Sequence, residues 1–220
     1  MEEKHGRINY AKIEKALQGH PSVSTFGLEY LLPGLVWSAR AYTIIEIGVA
    51  RGFTTALLAE AQAQLFDEPV MISVEDKQDR ANIATEIFSH YKHGQRLAVC
   101  GNSAQVNYEQ LLPELGAETC QLAYIDGGHS FRQVSGDIKA LMPVMALEAL
   151  WVFHDFVEGS HVLNAIQHCL PRHEWDLVGI AAPIGVPICI VSKRLDGIPS
   201  TKDTQGRKWS RRREPKCPSQ

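Results

Sequence analysis

Two short polar clusters contain the residue types best suited to acid-base or metal chemistry. The first is the D-G-G-H segment from Asp126 to His129, and the second is the pair His154-Asp155; each follows an apolar run. A divalent cation held by Asp126 and Asp155 would lower the pKa of a bound hydroxyl, and His129 would then accept the proton. Oxygen ligands suit magnesium or calcium, whereas an imidazole ligand favours manganese, iron or zinc. We therefore take Asp126, Asp155 and His154 as metal-ligand candidates, and Asp126 and His129 as catalytic candidates.

A glycine-containing loop follows an earlier apolar run. Its pattern is E-x-G-x-x-x-G, formed by Glu46, Gly48 and Gly52 between a predicted strand and a predicted helix. Glycines let the backbone come close to a ligand, and the helix N-terminus adds free N–H groups. Glu75 ends the next apolar run, where its carboxylate can accept both hydroxyls of a ribose. A dinucleotide-binding loop would instead read G-x-G-x-x-G with an acid about 20 residues later, so it matches less well.

These residues need elements that bring them to one edge of a fold. Short apolar runs rich in β-branched residues alternate with helix-like segments, which is typical of a parallel sheet covered by helices on both faces. The carboxyl ends of such strands share one edge, which is the usual ligand site. The predicted strands are 42–48, 70–75, 96–101, 121–126 and 149–155, and the helices that follow them are 53–65, 79–91, 107–115, 131–145 and 162–170.

The two ends of the chain depart from this alternation. Two helices, 7–20 and 25–41 (beginning at Thr25), precede the first strand, and two strand-like runs, 174–182 and 186–194, follow the last helix. The turn between those runs, at 183–185, is too short for a parallel crossover and predicts an antiparallel hairpin. The sequence therefore predicts an α/β, Rossmann-like, doubly wound and mostly parallel seven-stranded sheet with a C-terminal antiparallel hairpin.

Composition excludes several classes of protein. The start of the chain has no signal-peptide pattern and no apolar run is long enough to span a membrane, so we expect a cytoplasmic protein. The five cysteines occur singly and in odd number, which indicates reduced thiols. Residues 201–220 hold seven Lys or Arg and two acids, which leaves about −8 on the rest of the chain and argues against a nucleic-acid-binding face. We expect that tail to be solvated and without a packed core.

The motifs taken together resemble the class I S-adenosylmethionine-dependent methyltransferases. The resemblance rests on the E-x-G-x-x-x-G loop, the acid after the second strand, the G-N-S after the third and the terminal hairpin. It implies S-adenosylmethionine as cofactor, with Glu46 and Gly48 at its methionine moiety and Glu75, or Asp76 in its place, at the ribose. Asn102 and Ser103 would lie at the adenine edge, and Gly52 and Asp126 complete the implied cofactor-binding set.

The D-G-G-H and F-H-D-F segments are similar to one branch of small-molecule O-methyltransferases, which includes the macrolide-sugar methyltransferases and the cephalosporin-hydroxylase-like proteins. This likeness implies that Asp126 and Asp155 hold a divalent cation such as Mg or Mn and that His129 is the base. His154 stands where that branch often has an acid, and MALEAL replaces its usual Pro-Gly-Gly turn before the fifth strand. We expect metal-assisted O-methylation of a small-molecule hydroxyl.

Two other functions remain open at this point. An oxygenase or hydroxylase on the same fold would use His129, His154 and Asp155 as a two-histidine, one-carboxylate iron site. A degenerate, non-catalytic methyltransferase-like module is the second. For the main hypothesis we expect a small-molecule acceptor and a homodimer, with no membrane or nucleic-acid partner. The chain would divide into acceptor-side N-terminal helices (1–41), a cofactor-binding domain (42–195) and the basic tail (196–220).

Overall fold

The structure is a computed structural model that describes residues 8–17, 28–157, 159–180 and 188–193. Parts of the first two predicted helices, the turn at 183–185 and the tail from 196 to 220 lie outside the described residues. Among the described residues, no helix is both long enough and apolar enough to cross a membrane.

A seven-stranded sheet forms the central layer, in the order β3-β2-β1-β4-β5-β7-β6. The first five strands run parallel, and β7 pairs antiparallel with both β5 and β6, so the predicted fold class is confirmed. Every residue of β1 and β2 is buried, which explains why their sequences are almost continuously apolar. The strands are β1 Thr43–Ile47, β2 Val70–Glu75, β3 Gln95–Cys100, β4 Cys120–Ile125, β5 Met145–Phe153, β6 Trp175–Ile180 and β7 Ile188–Lys193.

Helices cover both faces of this sheet. They are α1 Tyr10–Ala16, α2 Leu28–Ser38, α3 Phe53–Ala63, α4 Gln78–Ser89, α5 Tyr108–Glu114, α6 Phe131–Leu141 and α7 His161–Cys169. Helices α1 to α4 pack on one face, against a core that includes Ile44 and Leu122. Helices α5 to α7 pack on the other face, against Ile45 and Ala123. Successive strand residues therefore point into different cores, as the pleat requires.

The helices nearest the polar clusters begin with serine caps. Ser130 lies directly after His129, and its side chain accepts a hydrogen bond from the backbone N–H of Gln133 at the start of α6. Ser160 does the same for Leu163 at the start of α7. Such caps satisfy N–H groups that the helix leaves unpaired, so each fixes where a site loop ends.

Several predicted element boundaries were wrong. Helix α1 begins at Tyr10 rather than at 7, and α2 ends at Ser38 rather than at 41. The predicted helix 131–145 ends at Leu141, because a 3-10 turn at Met142–Val144 follows it. The predicted strand 149–155 is β5, which begins earlier, at Met145, and includes the MALEAL segment; its register with β4 shifts between Cys120 and Leu122.

Candidate active site

Gly48 allows the loop after β1 to pass directly against the end of β4. Its φ is +92°, and a Cβ at this position would lie 2.2 Å from the backbone oxygen of Asp126. Its N–H donates to the carbonyl of Val74, 2.8 Å away. Because only glycine avoids both the left-handed strain and this clash, the loop and the Asp126 segment can share one crevice.

Gly52 has a different structural role at the other end of the loop. It is the left-handed N-cap of α3, with φ +81°. A Cβ on Gly52 would lie 2.3 Å from the Cδ1 of Ile87 on α4. The glycine therefore permits close packing of α3 on α4, which is sufficient to explain this residue even without a ligand.

Glu75 holds the loop through its carboxylate. Its Oε2 accepts hydrogen bonds from the backbone N–H groups of Val49 (3.0 Å) and Ala50 (3.2 Å). Its Oε1 accepts from the N–H groups of Asp76 (3.1 Å) and Lys77 (3.4 Å), and the side chain is buried. Asp76 is exposed beside it. Both acids named by the sequence therefore lie at the end of β2, with Glu75 engaged by the backbone and Asp76 facing solvent.

Glu46 is fully buried beneath this loop. Its Oε2 accepts hydrogen bonds from Thr55 Oγ1 (2.8 Å) and Ser73 Oγ (2.5 Å). Its Oε1 has no hydrogen-bond partner among the described residues. Burial raises the pKa of Glu46 to about 8, although the two hydroxyl hydrogen bonds act in the opposite direction. Oε1 is therefore the atom of this carboxyl that remains available to a ligand.

Asn102 and Ser103 form a turn that is attached to α6. The side chain of Asn102 caps the 3-10 turn Ser103–Gln105 by accepting from the N–H of Ala104. The hydroxyl of Ser103 donates to Oδ1 of Asp137, a buried acid that we did not predict from the sequence. Burial raises the pKa of Asp137 to about 6, and the Ser103 hydrogen bond lowers it. An acid within the buried face of a helix is the sequence signal that we overlooked.

The two polar clusters come together at the ends of β4 and β5. The backbone N–H of Asp126 donates to Ile47 of β1, and that of His154 donates to Ile125 of β4. His154 Nδ1 lies 2.9 Å from Asp126 Oδ1 and 3.5 Å from Asp155 Oδ1. His129 Nε2 lies 3.1 Å from Asp155 Oδ2 and 3.7 Å from Asp126 Oδ1. We call these four residues the acid-histidine cluster.

The members of the acid-histidine cluster differ in exposure. His154 is buried, and its Nε2 has no hydrogen-bond partner among the described residues, whereas about half of the His129 side chain is exposed. Burial lowers the pKa of His154, but the hydrogen bond and charge of Asp126 and the charge of Asp155 outweigh it and raise the pKa overall. Asp155 has a left-handed φ of +54°. His129 is therefore the imidazole open to a ligand.

One group of potential ligand atoms is compact enough for a cation. Asp126, His154 and Asp155 each offer an atom, and these three atoms all lie within 4.8 Å of one another. Two metal–ligand bonds of about 2.1 to 2.4 Å span that distance. This donor set of two carboxylates and one imidazole therefore fits a divalent ion. It contains one histidine, unlike the two-histidine iron set considered above.

Tyr124 is a second residue that we did not predict. It is fully buried on β4, and its hydroxyl donates to Asp126 Oδ2 over 3.3 Å. Burial, with the charges of Asp126 and Glu46, holds the pKa of Tyr124 well above its usual value, so the hydroxyl keeps its proton. Its position two residues before Asp126 puts both side chains on one face of the strand, which was a usable signal.

One further histidine and a cavity are not part of the acid-histidine cluster. His161 is the exposed first residue of α7. A cavity of about 470 Å³ lies at the amino ends of the strands, next to Ser38, Gln121 and Leu147. Because the polar clusters follow the carboxyl ends of β4 and β5, this cavity does not belong to the candidate active site.

Residues 45–156, just over half of the chain, match the family model described as "Methyltransferase domain". The chain belongs to this methyltransferase domain family. The matched range contains the loop after β1, Glu75, the Asn102 turn and the whole acid-histidine cluster. The comparison with curated proteins gave no match.

Solved structures similar to this methyltransferase share its fold at low sequence identity. An O-methyltransferase from Bacillus cereus in complex with SAH is 16% identical, with a TM-score of 0.61 and coverage of 84% of this chain and 91% of that one. TomG, an O-methyltransferase of tomaymycin synthesis from Streptomyces achromogenes in complex with SAM, is 16% identical, with a TM-score of 0.58 and coverage of 88% and 99%. SAH-bound PaMTH1 from Podospora anserina is 12% identical, with a TM-score of 0.64 and coverage of 87% and 92%.

Proposed function

We propose that this methyltransferase transfers the methyl group of S-adenosylmethionine to a hydroxyl oxygen of a small molecule. The observation that carries the proposal is the close approach of Gly48 to Asp126, because it brings the candidate cofactor loop and the acid-histidine cluster to one crevice. The family membership supports methyl transfer, and the SAM- and SAH-bound O-methyltransferases of the same fold support the choice of cofactor and acceptor atom.

The chain offers suitable atoms for the cofactor. The carboxyl of Glu46, with its unpartnered Oε1, would accept from the ammonium group of the methionine part, directly or through water, because that positive charge favours the ionised carboxylate. Asp76 is the exposed acceptor for the ribose hydroxyls, while Glu75 keeps the loop in place through four backbone N–H groups. Asn102 and Ser103 lie at the next strand end, where the adenine would extend.

His129 is the proposed general base. Its Nε2 faces Asp155, which orients the ring and leaves Nδ1 for the acceptor hydroxyl. In the reaction, the acceptor oxygen forms a bond to the methyl carbon while the carbon–sulfur bond breaks. The electron pair of that bond moves to sulfur, which yields S-adenosylhomocysteine, and the hydroxyl proton moves to His129.

Asp126, Asp155 and His154 are the proposed holders of a divalent cation. When bound, the cation would supply a lower pKa for an acceptor hydroxyl next to it. His154 would bind the ion as a neutral imidazole, and the carboxylates of Asp126 and Asp155, which now lie 2.9 and 3.5 Å from its Nδ1, would turn to the ion. With one imidazole among its ligands, the site suits manganese, iron or zinc as well as magnesium.

Calorimetric titration of S-adenosylhomocysteine, with and without excess chelator, tests the proposal. We expect saturable binding in both conditions, because the cofactor and cation contacts use different residues. The matched variant is Glu46→Gln. It replaces the proposed carboxylate acceptor of the cofactor ammonium group by a neutral amide, so S-adenosylhomocysteine should bind more weakly. Absence of binding to the unmodified protein would refute the proposed cofactor.

A further inference from the structure

The hydroxyl of Tyr124 lies between the start of α3 and the acid-histidine cluster. It donates to Oδ2 of Asp126, while Oδ1 of the same carboxylate faces His154. On its other side, the hydroxyl is hydrogen-bonded to the side chain of Thr54, the second residue of α3. A hydroxyl with one proton donates that proton to the carboxylate and accepts from the threonine. The three side chains therefore form a short chain of hydrogen bonds from the cofactor-loop helix to Asp126.

The ring of Tyr124 also limits the position of His154. The two ring centroids are 6.3 Å apart, and the rings meet edge to face at 61°. Tyr124 therefore contacts both ends of the 2.9 Å pair between His154 and Asp126: it bonds one partner and packs against the other. Tyr124 is fully buried, and its hydroxyl is already engaged by Asp126 and Thr54.

Packing alone does not account for a tyrosine at this position. A phenylalanine would fill the same space, and a buried hydroxyl is favourable only through the hydrogen bonds that it makes. The partners of this hydroxyl are a candidate cation ligand and the helix that follows the cofactor loop. The hydroxyl thus acts on the orientation of a carboxylate that otherwise rotates about its terminal torsion.

We propose that Tyr124 is a positioning residue that fixes the carboxylate of Asp126. Its hydroxyl holds Oδ2 by a hydrogen bond, so that Oδ1 is presented to the cation. The proposal rests on the proposed function, since it assigns a role within the same site. It predicts that the Tyr124 hydroxyl matters for cation binding and has little effect on cofactor binding.

Titration of the whole protein with Mn²⁺ and, separately, with S-adenosylhomocysteine tests this role. Tyr124→Phe should weaken Mn²⁺ binding by about tenfold, which is the low end of the affinity loss expected when a hydrogen bond to a charged group is removed. The affinity for S-adenosylhomocysteine should change by less than about twofold. The paramagnetic resonance spectrum of bound Mn²⁺ should also change, because a freed Asp126 alters the ligand geometry. Thr54→Val should cause a smaller loss of Mn²⁺ affinity.

Tyr108→Phe is the matched control. Tyr108 is also fully buried, but its hydroxyl has no hydrogen-bond partner among the described residues, so removal should change neither titration. Equal Mn²⁺ affinity in Tyr124→Phe and the unmodified protein would overturn the positioning role, as would absence of Mn²⁺ binding to the unmodified protein. Failure of the unmodified protein to bind S-adenosylhomocysteine would instead refute the proposed function, so the two failures are distinguishable.

Discussion

At the scale of single residues, Asp126 takes part in most of the contacts that define the candidate site. Its backbone oxygen limits Gly48 to glycine, and its N–H continues the pairing of β4 with β1. Its two carboxylate oxygens face His154 and Tyr124. A residue fixed at both backbone and side chain is well placed to hold a ligand, because little conformational freedom remains to be lost on binding.

His129 should be needed for turnover and not for cofactor binding. We expect His129→Ala to lower the rate of methyl transfer by about a hundred- to ten-thousand-fold, the usual range for loss of a general base. Its side chain is half exposed at the cluster edge, so stability should change little. The measurement is S-adenosylhomocysteine release in the presence of hydroxyl acceptors, with the exposed His161→Ala as control. A rate equal to that of the control would remove His129 from the mechanism.

Asp137 should make stability depend on pH. Its pKa in the folded protein is about 6, above the ordinary value of 3.8, because burial favours the neutral form. The stabilising contribution of the bound proton is therefore complete below about pH 4 and is lost as the pH rises through 6. From this shift, the free energy of unfolding above pH 6 should be lower than below pH 4 by on the order of 3 kcal/mol.

The variant Asp137→Asn should remove this dependence and melt at a higher temperature than the unmodified protein at pH 7.5, since an amide oxygen can still accept from Ser103. Melting curves between pH 4 and pH 8 measure the effect. Asp79→Asn, at an exposed position in the first turn of α4, serves as control. Parallel melting profiles for Asp137→Asn and the unmodified protein would contradict the assignment.

The sequence allowed us to predict which polar residues lie close together. It gave little information on the buried side chains that orient them. Asp126, His129, His154 and Asp155 follow apolar strands of a parallel sheet, whose carboxyl ends share one edge, so topology alone brings them together. Tyr124 lies in an apolar strand and Asp137 on the buried face of an amphipathic helix, and at both positions periodicity indicates core packing. The hydrogen-bond partner of Asp137 is Ser103, on a turn that is distant in the sequence. A single sequence does not show which turn packs against which helix, so this contact could not be predicted.

At the scale of elements, the loop between β1 and α3 depends on two glycines for different reasons. Gly48 allows contact with the backbone after β4, whereas Gly52 allows α3 to approach α4. The sequence pattern suggested a common ligand role for both. The distinction between them was not predictable, because it depends on which neighbouring element lies behind each Cα.

Gly52→Ala should destabilise the protein more than a left-handed alanine alone would. The conformation costs roughly 1 to 2 kcal/mol, and the added Cβ would also collide with Ile87. Gly116 is the matched control, since its φ is +80° and an added Cβ would meet no atom within 4 Å. We expect a fall in melting temperature of about 2 to 4 °C per kcal/mol, with Gly52→Ala losing at least twice as much as Gly116→Ala. Similar losses would show that α3 and α4 adjust easily.

Strand β5 shows a limit of local patterns. The strand was predicted to begin at residue 149, and Met145 was predicted as the last residue of a helix, although the alanines and leucines of MALEAL suit a helix throughout. In the structure, β5 begins at Met145 and its first four residues are partly or fully exposed. Pairing with β4 outweighs the helix propensity there, which is a tertiary effect that a single segment does not reveal.

At the scale of the whole molecule, the candidate site combines two groups of contacts from different strands. The proposed cofactor contacts lie at the carboxyl ends of β1, β2 and β3, whereas the acid-histidine cluster follows β4 and β5. The two groups meet where β1 pairs with β4, in the middle of the sheet. The two groups of contacts are adjacent but use different side chains. Mutations should therefore affect cofactor binding and cation binding separately.

Glu75→Gln and Asp155→Asn should separate these two functions in opposite directions. In Glu75→Gln, an NH₂ group replaces one carboxylate oxygen that accepts two backbone N–H bonds, so the loop should loosen. The affinity for S-adenosylhomocysteine should then fall about tenfold, while Mn²⁺ affinity is retained. In Asp155→Asn, the cation loses one negative ligand, so Mn²⁺ binding should fall at least tenfold while S-adenosylhomocysteine affinity is retained. Both titrations on both variants, with melting temperatures to verify folding, measure the separation. If each variant lost both ligands to the same extent, the cofactor and cation would have to share one set of contacts, and the division of the site between the two halves of the sheet would be wrong.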